Sequence, residues 1–249
     1  RALQLDGEYT AIAIAPDALR ATLPDLIAQG YRGLNVTIPY KQAVMPLLDE
    51  LSDAARAIGA VNTIVVSDGK LIGHNTDAMG FMRGLEASGD AEIRHSALGT
   101  QHSALVLGAG GAARAVVYAL IQAGARVTIW NRTRDRAIQL AREFDARAID
   151  DLPRDTTFDL IVNSTAVGMT PHSDETPLPL RARGITARAV YDLVYNPRET
   201  MLLREARADG AQPIGGIEML VQQGAEALHL WTGRDAPVDA MRAAIGGDR

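Results

Sequence analysis

The sequence predicts an α/β protein of two domains, and three observations carry that expectation. A chain of 249 residues, 47% of them hydrophobic, is long and apolar enough for two cores. From Ala104 onward, strand-like apolar runs alternate with helical patterns, as a parallel sheet with crossover helices requires. One glycine-rich turn, Gly108-Ala109-Gly110-Gly111-Ala112, joins such a strand to such a helix.

In chain order, Tyr9 to Ala15 reads as a strand, and Pro16-Asp17 opens a helical stretch that Pro24 is expected to break or restart before Gly30. Gly33 to Thr37 is a strand ended by Pro39. Lys41 to Leu48 and Ser52 to Ile58 read as helical. Asn62 to Val66 and Lys70 to His74 are β-rich runs joined by Ser67-Asp68-Gly69, and Asp-Gly between such runs signals a hairpin. Asp77 to Ser88 reads as a helix, and the polar stretch Gly89 to His102 as a linker. The alternating part follows: strands at Ala104 to Leu107, Arg126 to Trp130, Asp159 to Asn163 and Ala189 to Val194, and a short one at Pro213-Ile214. Between and after them come helices at Gly111 to Ala123, Asp135 to Phe144, Glu199 to Ala208, Glu218 to Trp231 and Val238 to Ile245. One domain is therefore expected at 1–100 together with 217–249, the other at 101–216.

Composition narrows the function. Lys and Arg total 25 against 30 Asp and Glu, a net charge of −5, which offers no electrostatic reason for nucleic acid or an anionic membrane as partner. A small anionic ligand would need a local basic group. The absence of cysteine excludes disulfides, thiolate metal sites and thiol nucleophiles, and fits a reducing cytoplasm. His74, His95, His102, His172 and His229 show no ligand spacing, so no metal site is expected. No run approaches the roughly 20 apolar residues of a membrane span, and the first residues lack a basic-then-apolar leader pattern.

The glycine turn has the context of a dinucleotide fingerprint. Leu105-Val106-Leu107 runs into it and a helical pattern leaves it. Gly108 allows the tight turn, Gly110 lets backbone approach a pyrophosphate, and Ala113 takes the third, packing position. Amides at the helix start, around Ala109, Gly111 and Ala112, would then face phosphate charge. The next strand ends about 20 residues on, where an NAD enzyme presents Asp or Glu to the ribose. Here the residues are Asn131-Arg132-Thr133, with Arg136 one turn later. A guanidinium bonds a 2′-phosphate that a carboxylate would repel, so the expected cofactor is NADP.

A second constellation lies in the first half. Gly33-Leu34-Asn35-Val36-Thr37-Ile38-Pro39-Tyr40-Lys41 places a hydroxyl and an ammonium at the carboxyl end of a strand, and Asn75-Thr76-Asp77 supplies a carboxylate to pair with the ammonium. A lysine beside a helix N-terminus opposes the helix dipole, which invites a functional explanation. Asp77 is also good capping chemistry before a helix.

These motifs in combination resemble shikimate dehydrogenase, over nearly the whole chain. The resemblance implies an N-terminal α/β substrate domain, a Rossmann-like NADP-binding domain and C-terminal helices returning to the first domain, with the ligands in the cleft between. It implies reversible reduction of 3-dehydroshikimate to shikimate with NADPH, in aromatic amino acid biosynthesis. Position by position, Lys41 and Asp77 match the catalytic pair. Thr37, Asn62 in Ala60-Val61-Asn62-Thr63, and Gln223 match groups holding the substrate hydroxyls. Gln223 closes Gly215-Gly216-Ile217-Glu218-Met219-Leu220-Val221-Gln222-Gln223, in which Gly216 is placed with the cofactor residues. Thr165, in Asn163-Ser164-Thr165-Ala166-Val167-Gly168-Met169, belongs to a loop beside the cofactor. Tyr195 matches a cleft-lining tyrosine and is placed with the substrate residues, or serves only to pack a strand end. A ketone gaining a hydride needs a proton donor at its oxygen, and the reverse reaction needs a base. Either Lys41 or Asp77 is the final proton acceptor.

The resemblance also carries a departure. Family members begin with a strand and a Gly-Asn-Pro and Ser-x-Ser segment whose serines bind the substrate carboxylate, and nothing near Tyr9 matches it. The expectation is a fragment starting about one strand and one helix late, weak in shikimate binding and poorly folded in its first domain. The rival functions are a quinate/shikimate dehydrogenase, against which Asn131-Arg132-Thr133 argues, and a catalytically impaired NADP-binding homologue. The expected partner is a small molecule, and a homodimer is compatible with the sequence.

Overall fold

The computed structural model describes residues 2–88 and 102–246. They fall into two compact units: the chain up to Thr76 with the chain from Gln223 on, and Asp77 to Gln222. The expected linker from Gly89 on lies outside the described residues except for His102, as does His95.

The first unit holds α1 (Leu19–Ala28), β1 (Gly33–Asn35), β2 (Glu50–Leu51), α2 (Asp53–Ile58), β3 (Thr63–Ser67) and β4 (Lys70–His74). Its sheet runs β1-β3-β4-β2, with β1/β3 and β3/β4 antiparallel and β2/β4 parallel. Asp68 (φ 49°) and Gly69 (φ 77°) give the hairpin the left-handed turn that follows the strands' twist. Ser52 caps α2, accepting the Ala55 amide at 3.2 Å. Leu19, Leu23, Val44, Ala55, Val61, Ile64 and Leu71 form the core.

Three local expectations fail here for physical reasons. Tyr9 to Ala15 has no regular secondary structure, because a strand exists only as half of a pair and among the described residues no strand pairs with it. Pro24 does not break α1, because burial of Leu19, Leu23 and Leu26 on one face outweighs the one backbone bond proline removes. Lys41 to Leu48 is a set of turns ending in a 3₁₀ turn at Met45–Leu47. Pro46 lacks the amide a continuing α-helix would need, and the bonds close i to i+3 instead, Met45 to Gln42 and Leu47 to Val44.

The second unit holds α3 (Asp77–Ala87), β5 (Ser103–Leu107), α4 (Gly111–Gln122), β6 (Arg126–Trp130), α5 (Arg134–Phe144), β7 (Arg147–Ala148), β8 (Thr157–Asn163), β9 (Thr186–Asp192), α6 (Met201–Ala208) and β10 (Gln212–Gly215). Helix α7 (Ile217–Thr232) begins there and continues into the first unit, and α8 (Val238–Gly246) follows. The sheet order is β10-β9-β8-β5-β6-β7, all pairs parallel. Within this unit α3 lies against α4. Among the described residues no helix is long and apolar enough to cross a membrane.

Three contacts in these units have no sequence signature. The indole of Trp231 lies where a Cβ on Gly33 would stand and donates to the Ile64 carbonyl at 2.9 Å. The ring of Tyr191 stacks on Phe81 at 5.1 Å, and its hydroxyl occupies the space a Cβ on Gly84 would take. Arg114, 7% exposed, pairs with Glu143 and lies 5.5 Å over the Phe144 ring.

A carboxyl group is also buried in the second unit. Asp192, at the end of β9, is fully inaccessible, and burial pushes its pKa up to about 6 against the pull of bonds from Thr200, Val194 and Asn163.

Gly33→Ala should lower stability by about 1–3 kcal/mol, because a methyl group there displaces the Trp231 ring; the midpoint of urea unfolding measures it. The raised pKa of Asp192 means that between about pH 4 and 6 the folded chain binds more protons than the unfolded one, so this group lowers stability as pH rises through that window and leaves it level above. Asp192→Asn should therefore lack this fall, and its stability relative to the parent should rise from pH 4 to pH 7 in unfolding titrations.

Candidate active site

In the first unit the hub is Asn62, 2% exposed, just before β3. Its Nδ2 donates to Thr76 Oγ1 at 2.9 Å and to Gln223 Oε1 at 3.3 Å, and its Oδ1 accepts from the Thr76 amide at 2.8 Å and the Thr63 hydroxyl at 3.1 Å. Asn62 and Gln223, 161 residues apart in sequence, are thereby joined. Asn75 Nδ2 donates to the Ala60 carbonyl at 2.9 Å, which ties the Asn-Thr-Asp segment to the turn before β3. Lys41 is half-buried, and its carbonyl accepts the Val61 amide at 2.7 Å, so the lysine's backbone is pinned next to Asn62. Thr37 is exposed, with its carbonyl accepting the Tyr40 amide at 2.9 Å.

A pocket of about 380 Å³ lies between residues 8–14 and 33–40 of this unit. Of the expected substrate residues it includes Thr37 but not Lys41, Asn62 or Gln223, and its one charged lining residue is Glu8. A slot whose one charged lining residue is a carboxylate suits an anionic substrate poorly. The cluster around Asn62 is the better candidate.

In the second unit, parallel pairing puts every expected cofactor residue at one edge of the sheet, past the carboxyl ends of β5, β6, β8, β9 and β10. Gly108 has φ +117°, and a Cβ there would meet Ser164 Oγ at 2.5 Å, so glycine is required. Gly110 starts α4 without any side-chain cap, and a Cβ on it would meet nothing within 4 Å. Space in front of uncapped helix amides is the cradle a pyrophosphate fills, with Ala109, Gly111 and Ala112 around it. The strand order reverses between β8 and β5, the crevice where such sheets bind nucleotides.

At the end of β6, Asn131 Nδ2 donates to the Thr133 carbonyl at 2.8 Å, and Thr133 sits at the start of α5. Arg132 and Arg136 are exposed and make no ion pair among the described residues, whereas Arg134 is held by Asp150 at 2.5 Å. That leaves two guanidinium groups for an anion at the position where NAD enzymes carry a carboxylate. Past β8, Thr165 Oγ1 donates to Asn163 Oδ1 at 2.7 Å and accepts the Val167 amide at 3.1 Å. Tyr195, 47% exposed, does not serve as a buried packing residue at the end of β9. Gly216 lies so close to the Leu193 carbonyl that no Cβ would fit. Asp77, 4% exposed, opens α3. Among the described residues no acidic, histidine or cysteine group gathers as for a metal ion.

Asn163 and Asp192 escape the sequence reading as functional residues. Each is a polar residue closing an apolar strand, a signal present in Leu160-Ile161-Val162-Asn163 and Val190-Tyr191-Asp192.

Residues 1–64 match the shikimate dehydrogenase substrate binding domain, 91–177 match the shikimate / quinate 5-dehydrogenase family, and 216–245 match the shikimate 5′-dehydrogenase C-terminal domain. The shikimate dehydrogenase (NADP(+)) of Carboxydothermus hydrogenoformans is 43% identical over 99% of this chain and 88% of its own length. The shikimate 5-dehydrogenase of Thermus thermophilus, solved in complex with NADP(H) and shikimate, is 41% identical with a TM-score of 0.86, covering 98% of this chain and 89% of that one. A quinate dehydrogenase from Corynebacterium glutamicum, solved with NAD, is 36% identical with a TM-score of 0.79, covering 90% and 81%. With identity at this level over nearly its whole length, the chain belongs to the shikimate dehydrogenase family.

Proposed function

We propose that this protein reduces 3-dehydroshikimate reversibly to shikimate with NADPH. The observation that carries the reading is the joint presence of Lys41, Asp77, Thr37, Asn62 and Gln223 in a chain that also holds the glycine cradle and the Arg132–Arg136 pair. A protein that only bound a nucleotide would have no use for the first five. We assign substrate binding to residues 1–100 and 217–249 and cofactor binding to 101–216. The absence of cysteine supports a reducing, cytoplasmic setting.

Bound NADPH supplies the hydride. Gly108, Gly110 and the first amides of α4 hold its pyrophosphate, and Arg132 with Arg136 meets the 2′-phosphate. Thr165 and Gly216 line the same edge, and Tyr195 faces the substrate. The substrate hydroxyls are held by Thr37, Asn62 and Gln223. Asn62 also donates to Gln223 Oε1 and so sets the position of that neighbouring amide. As hydride reaches the carbonyl carbon, negative charge grows on oxygen, and Lys41 with Asp77 supplies the proton there and takes it back in the reverse direction.

The quinate reading differs in one testable way. Its solved relative carries NAD, and here the end of β6 presents Arg132 where NAD enzymes place a carboxylate.

Mixing the protein with shikimate and NADP should give NADPH at a rate that exceeds those with NAD or quinate. Lys41→Ala should slow it by about 10²–10⁴-fold while leaving NADPH binding intact, the range expected for losing a proton-transfer group. Equal rates with quinate and NAD would sink the assignment in favour of the quinate reading. Arg132→Ala should raise KM for NADP about tenfold and leave KM for NAD nearly unchanged, since one charge-assisted bond to the 2′-phosphate is lost.

A further inference from the structure

Three donors converge on the buried Asp192. Asn163 Nδ2 and the Val194 amide donate to Oδ1 at 2.9 and 3.0 Å, and the Thr200 hydroxyl donates to Oδ2 at 2.7 Å. Thr200 also starts α6, accepting the Leu203 amide at 3.3 Å. An ionised carboxylate offers acceptors only, so the Asn163 amide has one permitted orientation, NH₂ toward Asp192. Its oxygen then faces the other way. There it gathers the Thr165 amide at 3.0 Å and the Thr165 hydroxyl at 2.7 Å, and Thr165 in turn holds the Val167 amide at 3.1 Å.

The next residue extends the chain of bonds to the glycine turn. Ser164 donates to the Leu107 carbonyl with its amide at 2.9 Å and its hydroxyl at 2.6 Å, and the same hydroxyl backs Gly108. One carboxylate thus sets the loops after β8 and β9 and, one step removed, the wall of the turn after β5. These are the loops that carry Thr165, Tyr195 and Gly108.

We propose that Asp192 is a positioning residue for the cofactor: it fixes the Asn163 amide, and through it the Thr165–Val167 loop, in the arrangement that the dinucleotide meets. Asp192 itself touches no ligand, being fully buried. A purely structural role explains the site less well, because burial disfavours the charged form of Asp192, so a charge is kept at some expense of stability where the loops of a binding edge meet. The inference rests on the reading that this edge binds NADP.

The test pairs Asp192→Ala with Asp192→Asn. Asn keeps an oxygen for Asn163 and Val194, and the Thr200 hydroxyl can turn to accept from its NH₂; Ala keeps nothing. Hydrogen exchange in the free protein is read at the Thr165 and Val167 amides, NADPH affinity by fluorescence titration, and shikimate affinity by calorimetry. The expected result is faster exchange at both amides and an NADPH Kd raised about tenfold in Asp192→Ala, with a smaller rise in shikimate Kd and Asp192→Asn close to the parent. A folded Asp192→Ala with parental exchange and NADPH affinity overturns the proposal, as does equal loss of both ligands or an Asp192→Asn as impaired as the alanine. If Asp192→Ala does not fold, Asn163→Ala must show the same cofactor-selective loss, and parental NADPH affinity in it overturns the proposal. Absence of NADPH binding by the parent protein would defeat the cofactor reading instead, and the exchange data would still decide whether Asp192 holds the loop.

Discussion

Parallel hydrogen bonding between β5 and its neighbours β6 and β8 governs where chemistry can sit in the larger unit. A parallel ladder makes every strand run one way, so every strand ends at the same edge, and the backbone groups there run out of ladder partners. The glycine turn leaves α4 with uncapped amides in front of open space. Arg132 and Arg136, Thr165, Tyr195 and Gly216 reach the same edge because each follows its own strand within a few residues. Five separate stretches of sequence become one surface through strand direction alone.

The loops at that edge need partners of their own, and the protein supplies them from inside. Asn163 and Asp192 end adjacent strands in register, Asn163 opposite Asp192 in the β8/β9 ladder. That register sets the amide and the carboxylate side by side, 2.9 Å apart. The loops then hang from side chains rather than from a sheet. Such an arrangement gives up some stability to burying charge and gains fixed loop geometry, a trade that is common near binding sites.

In the smaller unit a buried asparagine does comparable work without charge. Asn62 is satisfied on both sides of its amide by Thr63, Thr76 and Gln223, and a fully satisfied buried polar network is rigid. Gln223 arrives from α7, far along the chain, and Trp231 of the same helix lies over Gly33 and bonds the Ile64 carbonyl. The returning helix is therefore fixed to the sheet at two points, one polar and one aromatic.

Much of this is legible in the residues. The alternation after Ala104, the glycine turn, the hairpin at Asp68-Gly69 and the Asn131-Arg132-Thr133 strand end are local patterns, and local sterics and periodicity are enough to read them. Lys41, Asp77, Asn62 and Gln223 are found by motif likeness, a signal that says nothing of their contacts. Where neighbours in sequence mislead, tertiary structure decides: Tyr9 to Ala15 has strand composition but no strand partner among the described residues, Pro24 sits inside a helix held by its buried face, and Lys41 to Leu48 closes as turns around Pro46. Only the folded chain could show that Asn163 faces Asp192, that Asn62 holds Gln223, or that glycine at positions 33 and 84 makes room for an indole and a phenol. Pairing between strands and burial against distant helices are long-range facts, and no window of sequence contains them.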